Sequence, residues 1–220
     1  MLFGRRNRLS QDLKDWIEDS FDWFDARFLP PPKPILPTAE FFKAAKGHDH
    51  AAAKAVLKDV QRLLRFDLPI ELVPLARPSA EYRHSYQSAR EVAGTYQETE
   101  EGRFIQYDPE MLWQPLVFIN VMAHEVMHAR LAGLEDQIPG GRDAHELATD
   151  LGCIIAGFGV FQLQAADDQG WSGYMTQESR AHALAVFLDQ RGLTPDAVNA
   201  FLSGRVRKYL KRAWADLSLV

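Results

Sequence analysis

Two histidines and a glutamate interrupt a strongly apolar stretch of the chain, FINVMAHEVMHARLAG at positions 118–133. His124 and His128 are spaced i and i+4, so on a helix their side chains lie one above the other on the same face. Two imidazole nitrogens in that arrangement can bind one metal ion, and zinc binds histidine nitrogen at ~2.0–2.1 Å. Because polar groups are costly to bury without partners, the pattern predicts a metal site on this helix.

Glu125 follows the first histidine and is offset from it by ~100° around the helix. Its carboxylate can therefore lie beside a bound ion, where it can take a proton from activated water and pass it to a leaving amine. This is the chemistry of the H-E-x-x-H pattern. The alternative interpretation is that both histidines lie at the edge of the core and are hydrogen-bonded to nearby carbonyl groups.

A third ligand is expected further along the chain, in HELATDLG at positions 145–152. Glu146 and Asp150 are again i and i+4, so Glu146 can bind the ion while Asp150 accepts the free N–H of a ligating histidine. Two alternatives remain open. Asp143 and Glu146 have the spacing of a capping box, which would leave Asp150 a solvated helix residue. His145 is a rival ligand that would point ~100° away from Glu146.

The sequence HEVMH followed on a later helix by ELATD resembles the motif of the gluzincins, the thermolysin-like and HtpX-like zinc metallopeptidases. The resemblance covers mainly residues 110–165 and includes Gly152, which suits the HtpX-like variant. It implies a peptide or protein substrate, Glu125 as general base and Asp150 as orienting partner. It also implies one zinc ion per chain, bound by His124, His128 and Glu146.

In the gluzincins an edge strand upstream of the motif binds the substrate backbone, and EVAGTY at 91–96 or RFIQYD at 103–108 would take that place here. The chain departs from the HtpX-like pattern because the long membrane spans of those enzymes are absent. No spacing rule identifies a counterpart of the later substrate-stabilising histidine of thermolysin. The oxyanion formed in the reaction needs a donor besides zinc, for which Tyr174 and His182 are candidates.

The rest of the chain predicts an α+β fold of zincin-like type, in which a small, mostly antiparallel sheet packs on the active-site helix and further helices follow. A strand is expected at 70–76 and a hairpin at 90–109. Helices are expected at 9–28, 38–47, 50–66, 111–134 and 143–165, and another that begins at Thr194 and Pro195. The Pro-rich stretch LPPPKPILP is expected to be a stiff linker. It would separate an N-terminal helical appendage, residues 1–37, from a metallopeptidase domain, residues 38–220.

The composition limits the partners that we expect. The 220 residues carry a net charge of −5, which disfavours nucleic acid as a partner. One cysteine, Cys153, excludes an intramolecular disulfide, and no signal peptide or transmembrane segment is expected, so the chain reads as cytoplasmic. The N-terminal aromatic helix, or the basic C-terminal helix around Arg207 and Lys211, is a possible contact for a protein partner.

Three functions are compatible with these residues. The first is a zinc-dependent metallopeptidase that hydrolyses peptide bonds with metal-activated water and Glu125 as base. The second is a non-catalytic, zinc-binding regulatory or interaction protein on a zincin-like fold. The third is metal-dependent hydrolysis of a non-peptide amide. Glu125 favours catalysis, because a structural zinc site is usually closed by four protein ligands and needs no base.

Overall fold

The computed structural model describes residues 9–43, 47–75, 94–168 and 173–218. The chain divides into two compact units, and an α+β architecture is confirmed. Unit 1 comprises the chain up to Leu36 and from Gly133 onward, and unit 2 is Pro37–Ala132. The chain up to Leu36 groups with the C-terminal part and not by itself. The division into an appendage and a metallopeptidase domain stays a prediction.

The sheet of unit 2 has three described strands: β1 (Glu71–Pro74), β2 (Gly94–Thr99) and β3 (Gly102–Tyr107), in the order β1-β3-β2. The hairpin of β2 and β3 is antiparallel, as predicted, but β1 runs parallel to β3. The sheet is therefore mixed, and the expectation of a mostly antiparallel sheet is wrong. Because β3 is paired on both sides, the expectation that RFIQYD forms an edge strand is also wrong.

The described residues of unit 2 also form two α-helices, α2 (His50–Leu63) and α3 (Pro115–Leu131). Proline at its first position suits the start of α3, because proline lacks the N–H that a helix start leaves unused. Tyr107 of β3 packs edge-on against Phe118 of α3, with ring centroids 5.5 Å apart. Ile105, two residues earlier on the same face of β3, is fully buried. The sheet thus supports the helix that carries His124 and His128.

Two predicted helices are absent from the described residues. The segment at 38–43 forms a single turn in which the amides of Phe41 and Phe42 both donate to the Thr38 carbonyl, and 44–46 lie outside the described residues. One turn is enough to bury Phe41. After Thr194 the chain forms short 3-10 turns, Pro195–Ala197 and Asn199–Phe201. In both segments single turns, and not helices, bury the apolar residues whose spacing had predicted a helix.

Unit 1 is helical: α1 (Gln11–Arg27), α4 (His145–Cys153), α5 (Gly159–Asp168), α6 (Gln177–Gln190) and α7 (Gly204–Leu217). A π-helical turn, Ile154–Phe158, joins α4 to α5. The aromatic stripe of α1 is core, since Ile17, Phe21 and Phe24 are at most 2% exposed. By length and composition the run Arg142–Asp168 could cross a membrane, but 83% of its most apolar window is buried inside the protein, as in a core helix.

The Pro-rich stretch packs on its own unit. Ile35 is 1% exposed and its amide donates to the Gly157 carbonyl at 2.9 Å, inside the kink between α4 and α5. The Arg191 guanidinium donates to the carbonyl of Pro31 at 2.8 Å. Gly157 has φ +97°, and a Cβ there would lie 2.8 Å from Cγ of Pro31. This close approach docks the stretch on the kink.

We predict that Gly157→Ala lowers the free energy of unfolding by ~2–3 kcal/mol, because it combines strain at positive φ with a clash. Gly192→Ala is the matched control: its φ is +65° and no atom lies within 4 Å of the added Cβ. It should cost only ~1 kcal/mol. Urea denaturation of both variants measures the difference, and equal losses would contradict the docking of Pro31 on the kink.

Candidate metal centre

Helix α3 places the two histidines on one face, as their spacing predicts. Nε2 of His124 and Nε2 of His128 lie 3.0 Å apart, and the rings are nearly perpendicular. Both side chains are partly exposed, whereas Val121, Met122 and Val126 around them are buried. The apolar residues therefore fix the helix while both imidazoles remain accessible.

Glu125 is 5% exposed and lies against the neighbouring strand. Its Oε2 accepts a hydrogen bond of 2.7 Å from the backbone amide of Tyr96 in β2. A buried carboxylate needs such a donor, because a charge that leaves water without a partner is strongly destabilising. The glutamate of the motif is thus held beside the histidines by an amide donor from the sheet.

Glu146 lies in the first turn of α4, which begins at His145. Ala144 is the N-cap residue and makes no side-chain cap hydrogen bond, so the capping box of Asp143 and Glu146 does not form. The ligand atoms of His124, His128 and Glu146 all lie within 4.8 Å of one another, and this group can hold a metal ion. His145 is not part of this group among the described residues.

The donor set fits a zinc ion. Two nitrogens that each bind one ion at ~2.0–2.1 Å in tetrahedral geometry are separated by roughly 3.3 Å, close to the 3.0 Å between the two imidazoles. Two histidines and one carboxylate form one of the ligand sets typical of catalytic zinc. The identity of the ion stays a prediction, because the same donors also suit other divalent metals.

Asp150 is 2% exposed, which excludes the interpretation as a solvated helix residue. Its Oδ2 accepts three hydrogen bonds: 2.9 Å from the amide of Tyr174, 3.3 Å from the amide of Met175 and 3.1 Å from the Arg180 guanidinium. Asp150 therefore ties α4 to the loop before α6 and to α6 itself. Its expected role in orienting a histidine stays a prediction.

Arg180 is the residue at this network that sequence reasoning missed. It is 2% exposed on α6, and burial lowers the pKa of its guanidinium while Asp150 opposes that shift. The signal was present: an arginine precedes the apolar segment AHALAVFL, and arginine is almost never fully buried unless it is paired. Searching for the counter-charge of Asp150 would have led to it.

The two candidate oxyanion donors are placed differently. Tyr174 is 59% exposed, and its described contact is made by the backbone amide. His182 is 2% exposed, and its Nε2 is 3.9 Å from the Glu18 carboxylate, beyond hydrogen-bond distance. On α6 it is ~200° away from Arg180, so it faces α1 and not Asp150. No described contact brings either side chain to the metal-ligand group, and their catalytic role stays a prediction.

Comparisons of the chain with protein-family models, with curated proteins and with solved structures find no match. The resemblance to the gluzincins therefore stays a prediction that depends on the residues of the chain alone. Those residues are the two histidines of α3, Glu125 beside them, and Glu146 and Asp150 one turn apart on α4.

We predict that Arg180→Met lowers the free energy of unfolding by about 3–5 kcal/mol, because it leaves the buried Asp150 carboxylate without its counter-charge. Arg142→Met is the control, since Arg142 and Asp136 form an ion pair whose side chains are 66% and 76% exposed. Its loss should cost no more than about 1 kcal/mol. Chemical denaturation measures both, and similar losses would show that the Asp150–Arg180 pair contributes little.

Because His182 is buried, we predict that the free energy of unfolding falls at acid pH. Burial, together with the positive charge of Lys14, lowers the pKa of His182 to about 4, and the charge of Asp216 opposes that shift. The unfolded chain, with a histidine pKa near ~6.5, binds the proton first, so stability falls as pH drops from about 6.5 to about 4. His182 should account for roughly 3 kcal/mol of that fall.

Urea denaturation between pH 7.5 and pH 4.5 should therefore show a shallower loss of stability for His182→Leu than for the wild type. Above pH 7 the two proteins should show the same pH dependence, whatever their absolute stabilities. Identical slopes at acid pH would mean that His182 is protonated in the folded protein.

Proposed function

We propose that this chain is a single-zinc metallopeptidase of gluzincin type that hydrolyses peptide bonds. One observation carries the proposal: the ligand atoms of His124, His128 and Glu146 lie within 4.8 Å of one another, and Glu125 follows His124 on the same helix. A site with three protein ligands leaves a position for water, as catalytic zinc sites do. A carboxylate next to a ligand is the part that a purely structural site would not need.

Each side chain has a distinct task in this proposal. His124, His128 and Glu146 would hold the ion, which when bound supplies a Lewis acid that polarises a carbonyl and acidifies water. Glu125 would accept the proton of the attacking water and hand it to the nitrogen of the leaving amine. A carboxylate suits both transfers because, once protonated, it becomes a donor.

The sheet supports a peptide as the substrate class. Within the described part of the chain β2 is an edge strand, since only β3 pairs with it. An extended peptide can add to the part of this edge beyond Tyr96, whose amide is bonded to Glu125, through main-chain hydrogen bonds, which recognise any peptide backbone. The same α3 helix that carries Glu125 packs against β2, through the bond to the Tyr96 amide. A peptide paired with β2 would therefore pass close to the proposed base.

We predict that the purified protein binds one zinc ion per chain and that His128→Ala and Glu146→Ala lose it. His48→Ala is the matched control, because His48 stacks on Trp113, with centroids 3.7 Å apart, and is outside the ligand group. Elemental analysis after dialysis against trace zinc measures the stoichiometry. Absence of zinc from the wild type, or retention by both ligand variants, would contradict the site.

Glu125→Gln separates catalysis from metal binding. It keeps the shape of the side chain and can still accept from the Tyr96 amide, but it cannot take a proton from water. We predict that the variant keeps its zinc while hydrolysis of a broad peptide library falls by roughly 10²- to 10⁴-fold. Full activity would remove Glu125 as the base. A zinc-loaded wild type with no hydrolysis would favour the non-catalytic alternative.

A further inference from the structure

The proposed base is held by the outer strand of the sheet. Oε2 of Glu125 accepts from the Tyr96 amide at 2.7 Å, and the side chain is 5% exposed. This contact joins the middle of α3 to the middle of β2, and both elements belong to unit 2. Since a glutamate has several rotatable bonds, one fixed oxygen restricts the plane and direction of the whole carboxylate.

The Tyr96 amide is available for this contact because of the register of the hairpin. In an antiparallel pair successive residues point their N–H groups alternately toward the partner strand and away from it. Tyr96 lies opposite Ile105 of β3, and its N–H points to Glu125, so it faces away from β3. By the same alternation the Glu98 amide also points outward. Neither N–H is used by the ladder between β2 and β3.

Gly94 lets the strand approach the helix closely enough for this bond. A Cβ on Gly94 would lie 2.6 Å from Cγ1 of Val121 and 3.2 Å from Oε1 of Glu125. Real Cβ atoms do not approach other atoms to 2.6 Å, so any larger residue would push β2 away from α3. Gly94 and the outward amide of Tyr96 lie two residues apart on β2.

We propose that the backbone amide of Tyr96 is the positioning group for Glu125, with Gly94 providing the room for it. This inference rests on the proposed function, because it assigns a positioning role in the same reaction. Tyr96 itself touches no reacting atom: it acts by setting the direction of the carboxylate. Loss of the amide leaves the histidines and Glu146 in place. Turnover should therefore fall while zinc binding is unchanged.

Hydrogen exchange tests the contact without any assay of activity. In the zinc-free and zinc-loaded protein the Tyr96 amide should exchange at least roughly tenfold more slowly than the Glu98 amide, because an outward N–H on an edge strand is protected only by a partner. In Glu125→Gln the Tyr96 amide should remain protected from exchange. In Glu125→Ala it should lose that protection, while the amides of β3 stay protected. Equal exchange of Tyr96 and Glu98 in the wild type would overturn the inference, whether or not the protein hydrolyses peptides.

Tyr96→Pro tests the consequence for turnover. Proline removes the N–H, and on an edge strand with the N–H facing outward it breaks no ladder bond. Tyr96→Ala shows what loss of the phenol ring alone does. We expect kcat of Tyr96→Pro to lie roughly tenfold to a hundredfold below that of Tyr96→Ala, with KM and zinc content matched between them.

A kcat of Tyr96→Pro equal to that of Tyr96→Ala would overturn the positioning role. If the zinc-loaded wild type shows no hydrolysis, the proposed function fails by itself, and the exchange experiment still decides whether the Tyr96 amide holds Glu125.

Discussion

A carboxylate that leaves water must find hydrogen-bond donors or a counter-charge, and two buried carboxylates organise this protein. In unit 2 Glu125 takes the outward amide of β2. In unit 1 Asp150 takes two loop amides and the Arg180 guanidinium. Each carboxylate lies on a helix that also carries a candidate metal ligand. Satisfying the buried charge therefore also fixes the helix on which the ligand is placed.

The two buried carboxylates have different kinds of hydrogen-bond partner. The described partner of Glu125 is a neutral backbone amide. Around Asp150 the partner includes a full positive charge, and backbone amides occupy the same oxygen. Removing one partner of such a buried pair is strongly destabilising, because it leaves an uncompensated charge. The neutral donor beside Glu125 is compatible with the task proposed for that residue as base.

The sequence predicted those features that depend on local spacing. His124, Glu125 and His128 could be placed because helical geometry relates positions one and four apart, and the hairpin was visible from its two β-prone runs and polar turn. The parallel pairing of β1, the Arg180 partner of Asp150 and the Tyr96 amide could not be predicted. Each joins residues that are distant in the chain, and a backbone amide has no signature in the sequence. Local patterns also predicted helices at 38–47 and after Thr194, where the described chain forms single turns that already bury apolar residues such as Phe41 and Val198.

The division of the chain has a consequence for its synthesis. Unit 2 is continuous, from Pro37 to Ala132, so its described strands and helices can form as soon as that segment has been made. Unit 1 is discontinuous: α1 ends at Arg27, whereas its neighbours in the core, α4 and α6, begin more than a hundred residues later, at His145 and Gln177. Until α4 and α6 emerge from the ribosome, Ile17, Phe21 and Phe24 lack the apolar surfaces of those two helices. An apolar helix that waits for its partners in the core is the kind of segment that chaperones bind.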